Sequence, residues 1–219
     1  DADLDGAVKG AINGIFYNKG EVCCAGSRVL VERKVHDEFV AKMKERAESL
    51  KQGDPMDPKT RMGPQVSESH MNSVLGYIEE GKKEGARVVT GGERNGAMAK
   101  GYYVKPTILD GVTNQAKVAR EEIFGPVVVT IPFTDVEDAI RQGNDTPYGL
   151  AAGVWTRDVG KAHRVARALK AGTVWVNTYN LFDAAAPFGG YKMSGFGREL
   201  GMRALEHYTE SKTVWVNLG

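Results

Sequence analysis

Three things are scarce in this chain, and each scarcity excludes something. Only two cysteines occur among 219 residues, and they are neighbours, Cys23 and Cys24. Disulfides favour Cα atoms ~4.4–6.8 Å apart, whereas residues joined by a trans peptide stand ~3.8 Å apart, so this pair is not a staple. A reducing compartment is the natural expectation, cytosol first and the mitochondrial matrix second. No apolar run approaches the ~20 residues that cross a bilayer, and nothing has the make-up of a cleaved signal peptide. Charge of one sign is missing too, since 29 Lys and Arg face 28 Asp and Glu. A nucleic-acid partner normally requires a basic face, so neither nucleic acid nor membrane is an expected partner. The four histidines are scattered and lack the spacing of a metal site.

What is present is an ordinary globular balance, 42% hydrophobic and 26% charged, which rules out wholesale disorder. Glycine is in excess, 27 residues in 219, as in a fold with many tight connections and close backbone approaches. Leu4, Ala7, Val8, Ala11, Ile12, Ile15 and Phe16 step in threes and ones, the spacing of an amphipathic helix over 4–16. The same spacing predicts helices over 36–50, around Met71 to Ile78, and over 159–170. Strands are expected at Arg28–Glu32, Arg87–Thr90, Ala151–Thr156 and Thr173–Val176. Val127, Val128 and Val129 form a continuous run suited to a strand buried on both faces. Tyr103 to Leu109 reads as extended, with Pro106 arguing for an edge or irregular strand. Thr134 and Glu137 have the spacing of a capping box. A Gly-rich loop is expected over Gly91–Gly101 and a long loop over 177–197. A helix at Arg198–His207 and a terminal strand at Ser211–Leu218 follow. Alternating strands and helices give an α/β class with a largely parallel sheet and flanking helices.

Three stretches could carry chemistry. Asn18 to Arg28 delivers the chain through Gly20 to a thiol, Cys23, among small residues that leave room for a substrate. A free cysteine is as often a small core hydrophobe, so this loop alone leaves both roles open. The C-C pairing lacks the C-x-x-C spacing of thioredoxin-type chemistry. Glu121-Glu122-Ile123-Phe124-Gly125-Pro126 offers carboxylates suited to sugar hydroxyls beside an aromatic face, or else a solvated pair and a core ring. Pro187 to Glu199 packs four glycines and three aromatics into one segment. It lacks the strand-G-x-G-x-x-G-helix order of a phosphate cradle, so a structural loop over the sheet is the better expectation.

Taken in order, G-x-x-C loop, E-E-I-F-G-P and P-F-G-G-Y-K-x-S-G-x-G-R-E, these stretches resemble the NAD(P)-dependent aldehyde dehydrogenases. The resemblance covers essentially the whole chain and corresponds to the C-terminal half of a family member. It implies Cys23 as the catalytic thiol, with Val22 and Cys24 beside it in the pocket. It implies Glu122 on the nicotinamide-side ribose, with Phe124 packing near the same part of the cofactor. Phe182 and Phe188 match aromatics of an aldehyde tunnel, with Tyr17 and Asn180 at further lining positions. The run from Val176 to Gly190 is most like the enzymes acting on acetaldehyde, other aliphatic aldehydes or retinal. Glu21 departs from the Gln of many relatives and is expected to point away from the sulfur.

The implied architecture is a catalytic domain over 1–197 and a C-terminal helix and oligomerisation strand over 198–219, in a homodimer or tetramer. The dinucleotide-binding domain and the general-base E-L-G-G-K motif lie N-terminal to this region in the family, and no such motif occurs here. The implied activity is oxidation of an aldehyde to a carboxylic acid with NAD, or NADP, through a thiohemiacetal and a thioester. This chain alone is expected not to turn over. The competing reading is a non-catalytic interaction module of the same fold. A thiol hydrolase would require His36, His70, His163 or His207 beside Cys23; the resemblance puts His70 near a cofactor-facing position, but it reads better as a surface helix residue.

Overall fold

A computed structural model describes residues 1–98 and 100–219; Ala99, inside the expected Gly91–Gly101 loop, lies outside the described residues. The chain runs α1 (Leu4–Phe16), β1 (Arg28–Glu32), α2 (His36–Glu48), α3 (Glu68–Lys83), β2 (Arg87–Thr90) and β3 (Thr107–Asp110). It continues with α4 (Lys117–Arg120), β4 (Val127–Phe133), α5 (Val136–Asn144), β5 (Tyr148–Gly149), β6 (Ala151–Val154), α6 (Val159–Ala168), β7 (Thr173–Val176) and β8 (Tyr191–Lys192). Among the described residues no helix is long and apolar enough to cross a membrane.

The main sheet has the order β1-β4-β3-β2. Its β1–β4 and β4–β3 pairings are parallel, with Arg28 opposite Val129 and Thr107 opposite Val127. The sheet is mixed, because β2 joins β3 antiparallel with a register shift between Val88 and Thr90. The valine run forms the central strand. Val127 and Val129 point into a core with Met71, Val74 and Ile78 of α3. Val128 points the other way, onto Val8 and Ile15 of α1 and Phe39 and Met43 of α2. All three valines are fully buried, as expected for a parallel strand covered by helices on both faces. A second, two-stranded parallel sheet pairs β6 with β7, and β5 pairs antiparallel with β8.

Four local expectations require correction. Pro106 does not mark an edge: β3 lies inside the sheet, and its ladder begins one residue later, where the Thr107 N–H donates to the Pro126 carbonyl at 2.9 Å. The cap of α5 sits one residue on from Thr134, since the Asp135 side chain accepts the Asp138 N–H. The Asp138 carboxylate in turn accepts the Thr134 N–H. No α-helix starts at Arg198, because Glu199 and Phe188 exchange a pair of backbone hydrogen bonds at 2.7 Å. Leu200 and Gly201 then take φ near +60°, and only a 3₁₀ turn, Met202–His207, follows. Among the described residues the tail beyond Tyr208 joins no strand, so Ser211–Leu218 neither closes the sheet nor forms a strand here. Its apolar residues stay in water, Trp215 at 92% exposure.

Candidate active site

The thiol loop is built by a chain reversal after α1. Asn18, Lys19 and Gly20 take positive φ in succession, at 45°, 56° and 81°. The Asn18 side-chain amide holds the bend by donating to the Glu21 carbonyl at 3.0 Å. Glycine is obligatory at position 20: a Cβ there would sit 2.1 Å from the Gly125 carbonyl oxygen. Gly125 in turn packs on α3, where a Cβ would meet Val74 Cγ2 at 2.5 Å. These backbone contacts bring the thiol loop against the E-E-I-F-G-P segment.

Beyond the bend, a turn closed by the Ala25 N–H on the Val22 carbonyl separates the two sulfurs. Cys23 is exposed and Cys24 is buried. Burial, reinforced by the adjacent Cys23, pushes the Cys24 thiol up to about 11. Cys24 therefore stays a neutral thiol, and its Sγ lies 3.6 Å from Asn180 Oδ1. Only Cys23 of the pair is offered to a ligand. Glu21 faces Lys19, the Val66 N–H and His70, and no contact joins it to the sulfur.

The wall on the Cys24 side is aromatic. Tyr179 donates its hydroxyl to the Cys24 carbonyl at 2.8 Å and packs on Trp175 at 4.7 Å between ring centres. Trp175 meets Phe182 edge-on at 5.5 Å, and Phe182 meets Phe188 edge-on at 5.3 Å. One chain of contacts thus joins Cys24, Asn180, Phe182 and Phe188. Phe182 stays half exposed, available to an apolar ligand. Tyr17 is mostly exposed and stacks on no aromatic ring among the described residues, and Val22 is half-buried next to the thiol. Trp175 and Tyr179 were not singled out from sequence, although both fall in or beside the Val176–Asn180 run that the resemblance quotes. Burial, with Cys24 nearby, holds the Tyr179 phenol above its usual range, so it remains a hydrogen-bond donor.

Across the loop, Glu121 is occupied by the Tyr77 hydroxyl at 2.8 Å, while Glu122 is exposed and makes no hydrogen bond or ion pair among the described residues. Phe124 sits at φ 56° with its ring partly exposed. A free carboxylate two residues from a presented ring suits a ligand with vicinal hydroxyls and a flat face, which a nicotinamide riboside has. Two glycines of the Pro187–Glu199 segment serve backbone packing: a Cβ on Gly189 would lie 2.5 Å from the Gly197 carbonyl oxygen, and one on Gly190 2.4 Å from that of Ser194. Arg198 ties the same segment down through the Gly190 and Gly197 carbonyls. No histidine nitrogen contacts Cys23 among the described residues, which removes the basis for a thiol hydrolase dyad. His70 is a part-exposed residue of helix α3, as read from the sequence, and it also hydrogen-bonds the Phe124 carbonyl.

Known proteins resemble this chain along its whole length. The family model described as Aldehyde dehydrogenase family matches residues 1–214. A putative aldehyde dehydrogenase, DhaS, of Bacillus subtilis is 52% identical over all of this chain and 44% of its own length. A betaine aldehyde dehydrogenase of Sinorhizobium fredii is 52% identical, again over the whole chain and 45% of the relative. The solved NAD+ complex of an aldehyde dehydrogenase from Bacillus cereus superposes with a TM-score of 0.96 at 55% identity, over 100% of this chain and 44% of that one. The chain thus spans less than half the length of the relatives it matches. With a match along nearly its full length and the thiol, carboxylate and aromatic segments in the family order, the chain belongs to the aldehyde dehydrogenase family.

Proposed function

We propose that this chain supplies the nucleophile and part of the substrate and cofactor walls of an enzyme that oxidises an aldehyde to a carboxylic acid with NAD(P)+. One observation carries it: of two adjacent sulfurs, the fold exposes Cys23 and buries Cys24 as a neutral thiol, beside the loop bearing Glu122 and Phe124. The Cys23 thiolate adds to the aldehyde carbon and gives a thiohemiacetal. A nicotinamide, when bound, supplies the hydride acceptor, and the relative's NAD+ complex favours NAD over NADP. Cys23 then retains the acyl group as a thioester until water releases the acid. Glu122 would accept hydrogen bonds from the ribose hydroxyls of the cofactor, and Phe124 would offer it an apolar ring. Phe182 and Phe188 bind the aldehyde tail by apolar area and keep out competing water. Val22, Cys24 and Asn180 shape the pocket around the sulfur, and Tyr17 lines its rim. Aliphatic aldehydes are the expected class.

The exposed tail, with Val214, Trp215 and Val216 in water, supports a second proposal: it adds as a strand to another subunit in a homo-oligomer. The same tail favours the rival reading, an interaction module that keeps the fold without the chemistry. Labelling with an aldehyde-mimicking electrophile separates the two. Selective modification of Cys23, together with loss of turnover in Cys23→Ser of the whole protein, supports catalysis. Equal or absent labelling of the two sulfurs supports the module. Steady NADH production by the purified chain alone would show that the residues described suffice for turnover.

A further inference from the structure

Between the thiol loop and the E-E-I-F-G-P loop lies a polar clamp that the proposed chemistry does not use. The Glu21 side chain is 9% exposed and is held by three segments. Its Oε1 accepts the Val66 N–H at 3.0 Å, its Oε2 lies 3.2 Å from Lys19 Nζ, and Oε1 is 3.7 Å from His70 Nε2. The same His70 nitrogen is 2.7 Å from the Phe124 carbonyl oxygen. A carbonyl has no proton to give, so Nε2 carries the hydrogen and donates it. The His70 ring also meets the Phe124 ring edge-on, 6.2 Å between centres. His70 is itself fixed in the first turn of α3, where its N–H donates to Ser67 Oγ at 3.2 Å.

This clamp holds a residue that needs holding. Phe124 is at φ 56°, a conformation costly for any side chain but glycine, and such residues persist only where their surroundings over-determine them. The pin on its carbonyl comes from His70. The carboxylate that faces His70 belongs to the residue two before Cys23.

We propose that Glu21 and His70 are positioning residues that lock the 121–126 loop to the thiol loop and so set the spacing between Cys23 and the Glu122–Phe124 face. The proposal rests on the assignment of Cys23 and Glu122 made above. Neither clamp residue is required to touch the reacting atoms. Glu21 acts through His70 and Val66, and His70 acts through Phe124.

The test is amide hydrogen exchange, joined to steady-state kinetics of the whole protein. In His70→Ala the amides of residues 122–125 are expected to exchange about tenfold faster, the scale of one lost hydrogen bond, while those of Val128 and Val129 do not change. The KM for NAD is expected to rise about tenfold with the unfolding temperature preserved. His70→Gln, whose amide can still donate to the Phe124 carbonyl, is expected to recover most of both effects. Glu21→Ala is expected to reproduce them in weaker form, and the double variant to be no worse than His70→Ala, because the residues act in series. Unchanged exchange at 122–125, a glutamine no better than alanine, or multiplying effects in the double variant would overturn the clamp. If His70→Ala does not fold, Glu21→Gln, which still accepts from Val66 but has lost its charge, is expected to give about threefold faster exchange, and no acceleration would be a refutation. Retained turnover in Cys23→Ser would instead sink the nucleophile assignment, and the exchange result reports on the clamp in either case.

Discussion

Substituting Gly20 by alanine perturbs the single contact on which the site's geometry most depends. Gly20 stands at φ 81°, and a left-handed conformation costs an L-residue ~1–2 kcal/mol. The added Cβ would also lie 2.1 Å from the Gly125 carbonyl oxygen and 2.3 Å from its carbon. Those are backbone atoms, so the two loops must separate, at a further ~1–3 kcal/mol by analogy with overpacked cores. The sum is about 2–5 kcal/mol. Gly111→Ala isolates the first part, because Gly111 has φ 80° and open space where its Cβ would go. That control should cost only ~1–2 kcal/mol. Urea unfolding of both variants, with the slope checked for constancy, gives the difference directly. At ~2–4 °C per kcal/mol for a chain of this size, thermal melts should separate them by several degrees. Separation of the loops should also change the alkylation rate of Cys23 in Gly20→Ala and leave it unchanged in Gly111→Ala. If the two variants agree within about 0.5 kcal/mol and label alike, the close approach of Gly20 to Gly125 does not hold the site together.

Further outcomes follow from the same structure. Cys24 is stabilised as a neutral thiol, so its contribution to stability is complete below the ordinary thiol value and is lost as pH rises through about 11. The wild-type melting temperature should therefore fall more steeply between pH 9 and 11 than that of Cys24→Ala, and parallel curves would contradict the burial argument. At pH 8 a thiol near 11 is only about one part in a thousand thiolate, so mass spectrometry should find label on Cys23 well before Cys24. Tyr179→Phe keeps the ring but removes the donor to the Cys24 carbonyl, and should cost ~1–2 kcal/mol in urea unfolding, with no loss expected if that carbonyl finds water instead. Deleting 209–219 removes no packed residue of this chain and should leave the unfolding midpoint within about 0.5 kcal/mol. The same deletion should lower the oligomer mass in sedimentation, and an unaltered mass would count against strand exchange.

Much of the fold was legible because local pattern and burial agree. The helical spacing from Leu4 to Phe16 is a core face in the structure, and the valine run at 127–129 is the strand buried from both sides. Legibility failed where a local signal has two tertiary outcomes. Pro106 lacks a donor, but that matters only inside a ladder, and β3 starts just after it. The helix-forming residues after Arg198 are captured by the Phe188–Glu199 bridge and by the left-handed pair at Leu200 and Gly201. Val214, Trp215 and Val216 have strand propensity and no strand in this chain to pair with. Motif order marked Cys23, Glu122 and Phe124, whereas nothing in the spacing of Glu21, His70, Trp175 and Tyr179 shows that they meet.

The order of residues alone determined most of the helices and strands before Val176 and which face of each is apolar, because periodicity is written over a handful of neighbouring positions. It also determined that a thiol follows a glycine bend and that a carboxylate and a ring travel together before a buried strand. Tertiary structure alone decided which of two adjacent sulfurs meets water. It alone brought His70, 54 residues from Phe124 in sequence, onto that residue's carbonyl. Exposure and long-range hydrogen bonds belong to pairs of segments, and those pairs exist only once the sheet has set the distance between its loops.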